Sequence, residues 1–117
     1  MASKQEVREF LKAFCEHLDR AGYLLVNKSD DNAACLATLG LTTKQREAIV
    51  RQLAHADYCE GPISEKGRKA SAWVFGVTVE GKEIYVKLAL VKTEAPLCWS
   101  FHFPKYPMAY PFRSVKR

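Results

Sequence analysis

From residue 72 onward the chain alternates apolar and polar side chains with a period of two, and a Glu80–Gly81 pair interrupts the alternation. The segments on either side, AWVFGVTV and KEIYVKLALV, are rich in the β-branched and aromatic residues that favour strands. Two such segments joined by a two-residue loop are typical of a β-hairpin, and the loop fixes the register of every cross-strand pair. This hairpin constrains the fold more than any other feature of the sequence.

The predicted register divides the hairpin side chains between two faces. On one face Val79 pairs with Lys82, Val77 with Ile84, Phe75 with Val86, and Trp73 with Leu88. On the other face Thr78 lies opposite Glu83, Gly76 opposite Tyr85, and Val74 opposite Lys87. We expect helices to cover the first, apolar face, which leaves the polar groups together on the second face.

A third strand, LCWSFHF, is predicted after the turn around TEAP. Its aromatic residues Trp99, Phe101 and Phe103 alternate with Cys98, Ser100 and His102. Burial of the aromatic set would send Ser100 and His102 to the second face of the hairpin. The sequence therefore predicts a candidate site made of Tyr85, Lys87 and His102, with Gly76 leaving space beside Tyr85.

The first half of the chain has helical patterns. Ser3 and Glu6 form a capping box ahead of an apolar stripe, and Gly22 ends that helix. SDDNAACLATLG predicts a short helix that opens at an Asp/Asn cap and closes on Gly40, and TTKQREAIVRQLAHA predicts a longer one.

We predict one α+β domain over 1–117, in which helices at 3–56 pack on a small antiparallel sheet at 72–103. A basic loop at 57–71 connects the two parts, and a proline- and tyrosine-rich tail at 104–117 leaves the ladder.

Composition limits the class of partner. Eighteen Lys and Arg against thirteen Asp and Glu give a formal charge of +5 and a pI near 9.1, which favours an anionic partner. No signal-peptide pattern and no apolar run of about 20 residues is present, so a cytoplasmic protein without a membrane partner is expected. The four cysteines are far apart and form no CxxC pair, which favours reduced thiols, and neither a metal nor another cofactor is predicted.

The candidate site has the residue types that phosphodiester chemistry needs. A histidine can exchange a proton with a ribose hydroxyl or a leaving oxygen near neutral pH, a lysine can stabilise charge on phosphate oxygens, and a tyrosine can stack on a base. Four further cations are candidates for binding RNA phosphates: Lys66, Arg68 and Lys69 in the basic loop, and Lys105 in the tail.

Other interpretations fit the same residues. The triplet would also suit RNA or ribosome binding without chemistry. Tyr85 and Lys87 alternate with aliphatic residues as on an ordinary solvated sheet face, and a strand histidine between aromatics is often structural. The sheet edge or the tail could instead dock a protein partner by strand addition.

Three blocks, DYCEGP, WVFGVTVEGKEIYVKLAL and SFHFPKYPMAYPF, resemble the MqsR-family toxins of bacterial type II toxin–antitoxin systems. The similarity covers roughly residues 36 to 112. It implies a RelE-like fold, in which helices flank a small antiparallel sheet. It also implies a metal-independent endoribonuclease that cleaves mRNA by attack of the ribose 2′-hydroxyl, and a cognate antitoxin that neutralises it.

The resemblance assigns roles by position. It matches the strand tyrosine of the family with Tyr85, the lysine two residues later with Lys87, and a basic residue of the last strand with His102. Two positions depart from the family pattern, because a loop lysine is replaced by Glu60 and a strand glutamine by Val74. These departures imply either that His102 and nearby Lys and Arg residues carry the chemistry in this chain, or that cleavage is weak or absent.

Overall fold

The computed structural model describes residues 1–91 and 93–113, so the end of the predicted tail, 114–117, lies outside the described residues. The chain is α+β, with its helices in the N-terminal half and most of its sheet in the C-terminal half. The elements are helices α1 (Lys4–Ala21), α2 (Asp30–Leu39) and α3 (Thr43–Arg51) and strands β1 (Leu25–Val26), β2 (Tyr58–Ile63), β3 (Ala72–Val79), β4 (Lys82–Ala89) and β5 (Leu97–His102). No helix within the described residues is long and apolar enough to cross a membrane.

The helix boundaries follow local capping signals. The predicted capping box of Ser3 and Glu6 starts α1, and Gly22 ends it with a φ of 81°. Gly40 ends α2 as predicted, but the N-cap of α2 is Ser29 rather than an Asp or Asn. The third helix is shorter than predicted and ends at Arg51. A separate 3-10 helix (His55–Asp57) follows, and the Ala54 backbone N–H donates to the Asp57 carboxylate at its start.

The sheet is mixed rather than antiparallel, and its strand order is β1-β5-β4-β3-β2. β1 runs parallel to β5, with Leu25 beside Leu97 and Val26 beside Cys98. The prediction of a purely antiparallel sheet was wrong because β1 has two residues, too few to show a period of two.

The predicted basic loop 57–71 begins with a strand instead. Tyr58–Ile63 forms β2 and pairs with β3, with shifts in register on both sides of Glu60. These irregularities and the Gly61–Pro62 pair break the alternation that identifies a strand in sequence. The segment that connects β2 to β3 therefore starts only after Ile63.

The hairpin register is confirmed at all seven predicted pairs between β3 and β4. Glu80 and Gly81 both have positive φ values, 52° and 75°, as a two-residue hairpin turn of the type I′ class requires. The predicted apolar face meets the helices: Phe75, Ile84, Val86 and Leu88 are buried in one core with Val7, Leu11 and Phe14 of α1.

A β-bulge in β5 changes the predicted faces of that strand. Ser100 lies opposite Lys87, but Leu88 lies opposite Cys98, so Trp99 is the extra residue. Cys98 is consequently buried in the core beneath the helices, whereas Trp99 packs with Ala72 and Ala89 on the second face of the sheet. The prediction that Trp99 belongs to the core side was wrong for this reason.

Asn32 of α2 holds the bulged segment. The residue is 2% exposed, and its side-chain amide nitrogen donates to the carbonyls of Asn27 (2.9 Å) and Trp99 (3.3 Å). Its amide oxygen accepts from the Phe101 backbone N–H at 2.9 Å. One buried side chain thus satisfies backbone groups of β5 that the parallel strand β1 is too short to reach.

The tail leaves the ladder, as its prolines predict, and then crosses the second face of the sheet. Tyr110 lies over Gly76 and donates a hydrogen bond to Glu83. Further on, Phe112 stacks on Tyr58 with 5.4 Å between ring centroids, and Arg113 lies 3.3 Å from an Asp57 oxygen. The sheet is therefore covered on both faces.

We expect Asn32→Ala to lower the free energy of unfolding by about 1–3 kcal/mol, because it leaves buried backbone groups of Trp99 and Phe101 unsatisfied. Urea denaturation followed by circular dichroism measures this change. Asn27→Ala is the matched control, since Asn27 is exposed and its described bonds are made by its backbone. Equal losses in the two variants would show that Asn32 does not hold the bulge.

Candidate functional site

A cavity of about 470 Å³ lies between the second face of the sheet and the tail. Its floor is formed by strand residues Cys59, Glu60, Val74, Tyr85, Lys87, Ser100 and His102. Its other wall is the tail segment 105–109. The cavity therefore contains all three residues that the sequence predicted as a catalytic group.

Tyr85 and His102 are cross-strand partners on β4 and β5. Their rings stack with centroids 5.2 Å apart and planes 9° from parallel. His102 Nδ1 lies 2.9 Å from the carbonyl oxygen of Phe103. Because a carbonyl can only accept, Nδ1 carries the proton in this bond, and Nε2 is the nitrogen left to accept a proton from a bound molecule.

Burial raises the pKa of the Tyr85 hydroxyl, and the nearby carboxylates of Glu60 and Glu65 raise it further against the opposing effect of Lys87. Tyr85 is therefore protonated at neutral pH and acts as a hydrogen-bond donor rather than a base. Burial, with a contribution from Glu83, also raises the pKa of Cys59 to about 12. The Cys59 thiol is thus protonated and is a poor nucleophile.

Lys87 forms an ion pair with Glu65, with 2.7 Å between the ammonium nitrogen and the carboxylate oxygen. Both side chains are partly buried, 22% and 27% exposed. Glu65 belongs to the loop between β2 and β3, and no local sequence pattern indicates its position, because the contact joins residues 22 apart. The charge of Lys87 is compensated, so an incoming phosphate has to compete with Glu65 for it.

Lys105 is paired in a similar way. Its ammonium group lies 2.9 Å from Asp31 on α2, and this hydrogen bond lowers the pKa of the Asp31 carboxyl and raises that of Lys105. The pair ties the start of the tail to α2 at the rim of the cavity. Lys105 therefore lies at the cavity, and its role in phosphate binding stays a prediction.

The predicted basic loop residues do not join this cavity. Arg68 lies over the ring of Trp99, 4.5 Å from its centroid. Arg68 and Lys69 line a separate depression of about 350 Å³, and Lys66 is exposed. The bulge that turns Trp99 to the second face explains this position, because it gives Arg68 an aromatic surface away from His102.

The two positions that depart from the family pattern are neighbours in space. Glu60 and Val74 are cross-strand partners, and both line the cavity. Glu60 therefore places a carboxylate, and Val74 an apolar surface, beside the predicted catalytic group.

Sequence reasoning missed the contribution of the tail. Tyr106, Pro107, Met108 and Ala109 line the cavity, and Tyr106 is 81% exposed at its edge. The repeated Tyr-Pro pattern of the tail was a signal that the segment is not an ordinary strand, but nothing local indicated which surface it covers. Among the described residues, no group of three or more His, Cys, Asp or Glu side chains is placed to hold a metal ion.

Comparison of the chain with protein-family models, with curated proteins and with solved structures gives no match.

Tyr110 fits over Gly76 because glycine has no side chain. A Cβ at residue 76 would lie 2.8 Å from ring carbons of Tyr110. We expect Gly76→Ala to cost about 1–3 kcal/mol of unfolding free energy through overpacking. In a Tyr110→Ala background the same substitution should cost little, because the obstructing ring is gone.

A double-mutant cycle measured by urea denaturation checks this coupling. The cycle consists of the parent chain, Gly76→Ala, Tyr110→Ala and the double variant. An unchanged cost of Gly76→Ala in both backgrounds would show that Tyr110 does not rest on Gly76 in solution.

Proposed function

We propose that this chain is a metal-independent endoribonuclease that cleaves mRNA, with a RelE-like arrangement of its α+β fold. The observation that supports this proposal best is His102: it lines a cavity, its Nδ1 is held by the Phe103 carbonyl, and its Nε2 is left for substrate. The resemblance to MqsR-family toxins is what assigns RNA cleavage to these residues, and it adds a neutralising antitoxin protein as partner in a cytoplasmic setting.

The reaction follows from the groups that line the cavity. The ribose 2′-oxygen attacks the adjacent phosphorus as its proton passes to a base, and the bond to the 5′-oxygen breaks as that oxygen gains a proton. The products are a 2′,3′-cyclic phosphate and a 5′-hydroxyl. Such a reaction needs one proton acceptor and one proton donor, and the cavity offers Glu60 and His102 for these two roles. In this proposal Glu60 takes the proton-transfer role at the position where the family pattern has a lysine.

The remaining lining residues bind and orient the RNA. Lys87 can move its ammonium group from Glu65 to the phosphate oxygens, where negative charge grows in the transition state. Tyr85 donates a hydrogen bond and supports the imidazole of His102 by stacking. Tyr106 is exposed at the cavity edge, where an aromatic ring can stack on a nucleobase.

We expect His102→Ala and Glu60→Gln each to lower the rate of RNA cleavage by about 10²- to 10⁴-fold, as loss of a positioned proton-transfer group typically does. The measurement is a single-turnover cleavage assay on a defined RNA, with chelator present and absent, followed by end-group analysis. Detection of a 2′,3′-cyclic phosphate would identify the reaction class.

His17→Ala is the control for the histidine substitution, since His17 lies on α1 and lines a different depression. Each variant should retain the circular dichroism spectrum of the parent chain. Cleavage by His102→Ala at the parental rate would remove His102 from the mechanism, and absence of cleavage by the parent chain would contradict the proposal itself.

Glu65 should limit RNA affinity, because it occupies Lys87. We expect Glu65→Gln to tighten binding of a non-cleavable 2′-O-methyl RNA several-fold and to steepen its dependence on salt concentration, since one more cation becomes available to phosphate. Fluorescence anisotropy at several salt concentrations measures both effects.

Glu16→Gln is the matched control, because it removes one negative charge from an exposed position on α1. A gain in affinity as large with Glu16→Gln as with Glu65→Gln would assign the effect to net charge alone. A loss of affinity in Glu65→Gln would mean that the ion pair positions Lys87 for binding rather than competing for it.

A further inference from the structure

Arg46 on α3 contains a buried polar atom without a partner. The residue is 9% exposed, and Nε is the one buried side-chain nitrogen or oxygen in the described part of the chain that makes no hydrogen bond. None of the ion pairs among the described residues includes Arg46. A guanidinium cannot release its proton at neutral pH, so its burial without a counter-ion is unfavourable and needs an explanation.

The titratable groups that interact with this guanidinium cannot serve as its counter-ion. They are the thiols of Cys35 and Cys98. Burial raises the pKa of both thiols, that of Cys98 to about 12, and this effect outweighs the opposing influence of Arg46. Both thiols are therefore neutral at physiological pH, and the positive charge stays uncompensated.

Arg46 lines an open groove of about 470 Å³ between β1 and α2. Val26, Ala33 and Leu36 provide apolar walls. The groove also contains the start of α2, a ten-residue helix whose N-cap is Ser29. The N-terminus of a helix presents unpaired N–H groups and a partial positive charge, both of which favour an anion.

Two exposed side chains at the groove carry opposite charges, which cancel in the net charge of the groove. Lys28 adds a positive charge and Asp30 a negative one, and both are exposed. The next carboxylate of α2, that of Asp31, is already paired with Lys105. Arg46 therefore leaves the groove with an excess of one positive charge.

We propose that this groove is a binding site for a phosphate group, with the Arg46 guanidinium and the N-terminus of α2 as donors. A tetrahedral phosphate can accept from the guanidinium and from the helix at the same time, whereas a planar carboxylate pairs best with the guanidinium alone. The same chemistry would bind free phosphate or the phosphate of a nucleotide or RNA, and the last experiment below distinguishes these sources. The site lies apart from the cavity of His102, so the proposal stands whether or not the chain cleaves RNA.

The first test follows the Arg46 Nε–Hε signal by two-dimensional ¹H–¹⁵N NMR, with the signal assigned by its loss in Arg46→Lys. Titration with inorganic phosphate should shift this signal in a saturable way. Sodium acetate and sodium chloride at equal ionic strength are the controls. No shift with phosphate, or an equal saturable shift with acetate, would overturn the assignment.

The second test uses thermal unfolding. Phosphate at about ten times its Kd should raise the Tm of the parent chain by a few degrees, because it binds the folded state alone. Arg46→Met should lose this increase, whereas Lys44→Met, which removes an exposed cation from the same helix, should keep it. An undiminished increase in folded Arg46→Met would contradict the proposal, and if that variant does not fold, the NMR titration of the parent chain decides.

The source of the phosphate is distinguished with two further ligands. A nucleoside 5′-monophosphate and a short 2′-O-methyl RNA, which cannot be cleaved by 2′-hydroxyl attack, are titrated against the same Nε–Hε signal. A shift at lower concentrations of RNA than of inorganic phosphate assigns the groove to an RNA phosphate. A shift with inorganic phosphate alone assigns it to the free ion, and no shift with any of the three ligands refutes the site.

Discussion

The structure depends on how the last strand is held at its bulge. Asn32 accepts from one backbone group of β5 and donates to another, and with these bonds it fixes Trp99 as the extra residue of the strand. On one side of the bulge Cys98 points into the core, and on the other side Ser100 and His102 lie with Lys87 and Tyr85. Without the extra residue, a single alternation would continue through β5, and Cys98 would share a face with His102. The bulge thus allows one strand to complete the core and the candidate site.

The tail turns a sheet face into a cavity. A sheet with helices on one side would leave Tyr85 and His102 on an open surface, but the segment after β5 folds back across that surface. Three contacts hold this segment: Lys105 pairs with Asp31 of α2, Tyr110 lies over Gly76, and Phe112 stacks on Tyr58. Between the first two points the chain arches over the site and leaves Tyr106 exposed at its edge. A glycine at 76 is therefore required by the ring above it rather than by the backbone of the strand.

Charge pairing determines how the basic chain can bind an anion. The net charge of +5 suggests a surface ready for phosphate, yet Lys87 and Lys105 at the cavity are each paired with a carboxylate. Phosphate binding there is an exchange of partners, which costs part of the attraction that it gains. Arg46 differs, because it forms no ion pair among the described residues and the thiols that its charge influences are neutral. Composition shows the excess of positive charge, and the structure shows where that excess is uncompensated.

The sequence alone determined the features that depend on neighbours along the chain. Ser3 with Glu6, Gly22 and Gly40 bounded their helices, and the Glu80–Gly81 turn fixed all seven pairs of the hairpin, because capping and turn geometry act over a few residues. That register, together with the alternation in the third strand, predicted the grouping of Tyr85, Lys87 and His102. Only the tertiary structure decided what depends on distant contacts: the parallel pairing of β1, the strand at Tyr58, the reversal of Trp99, the pairing of Lys87 with Glu65 and the surface that the tail covers. Each of these joins residues far apart in sequence, and their stability comes from packing and hydrogen bonds that no local pattern records.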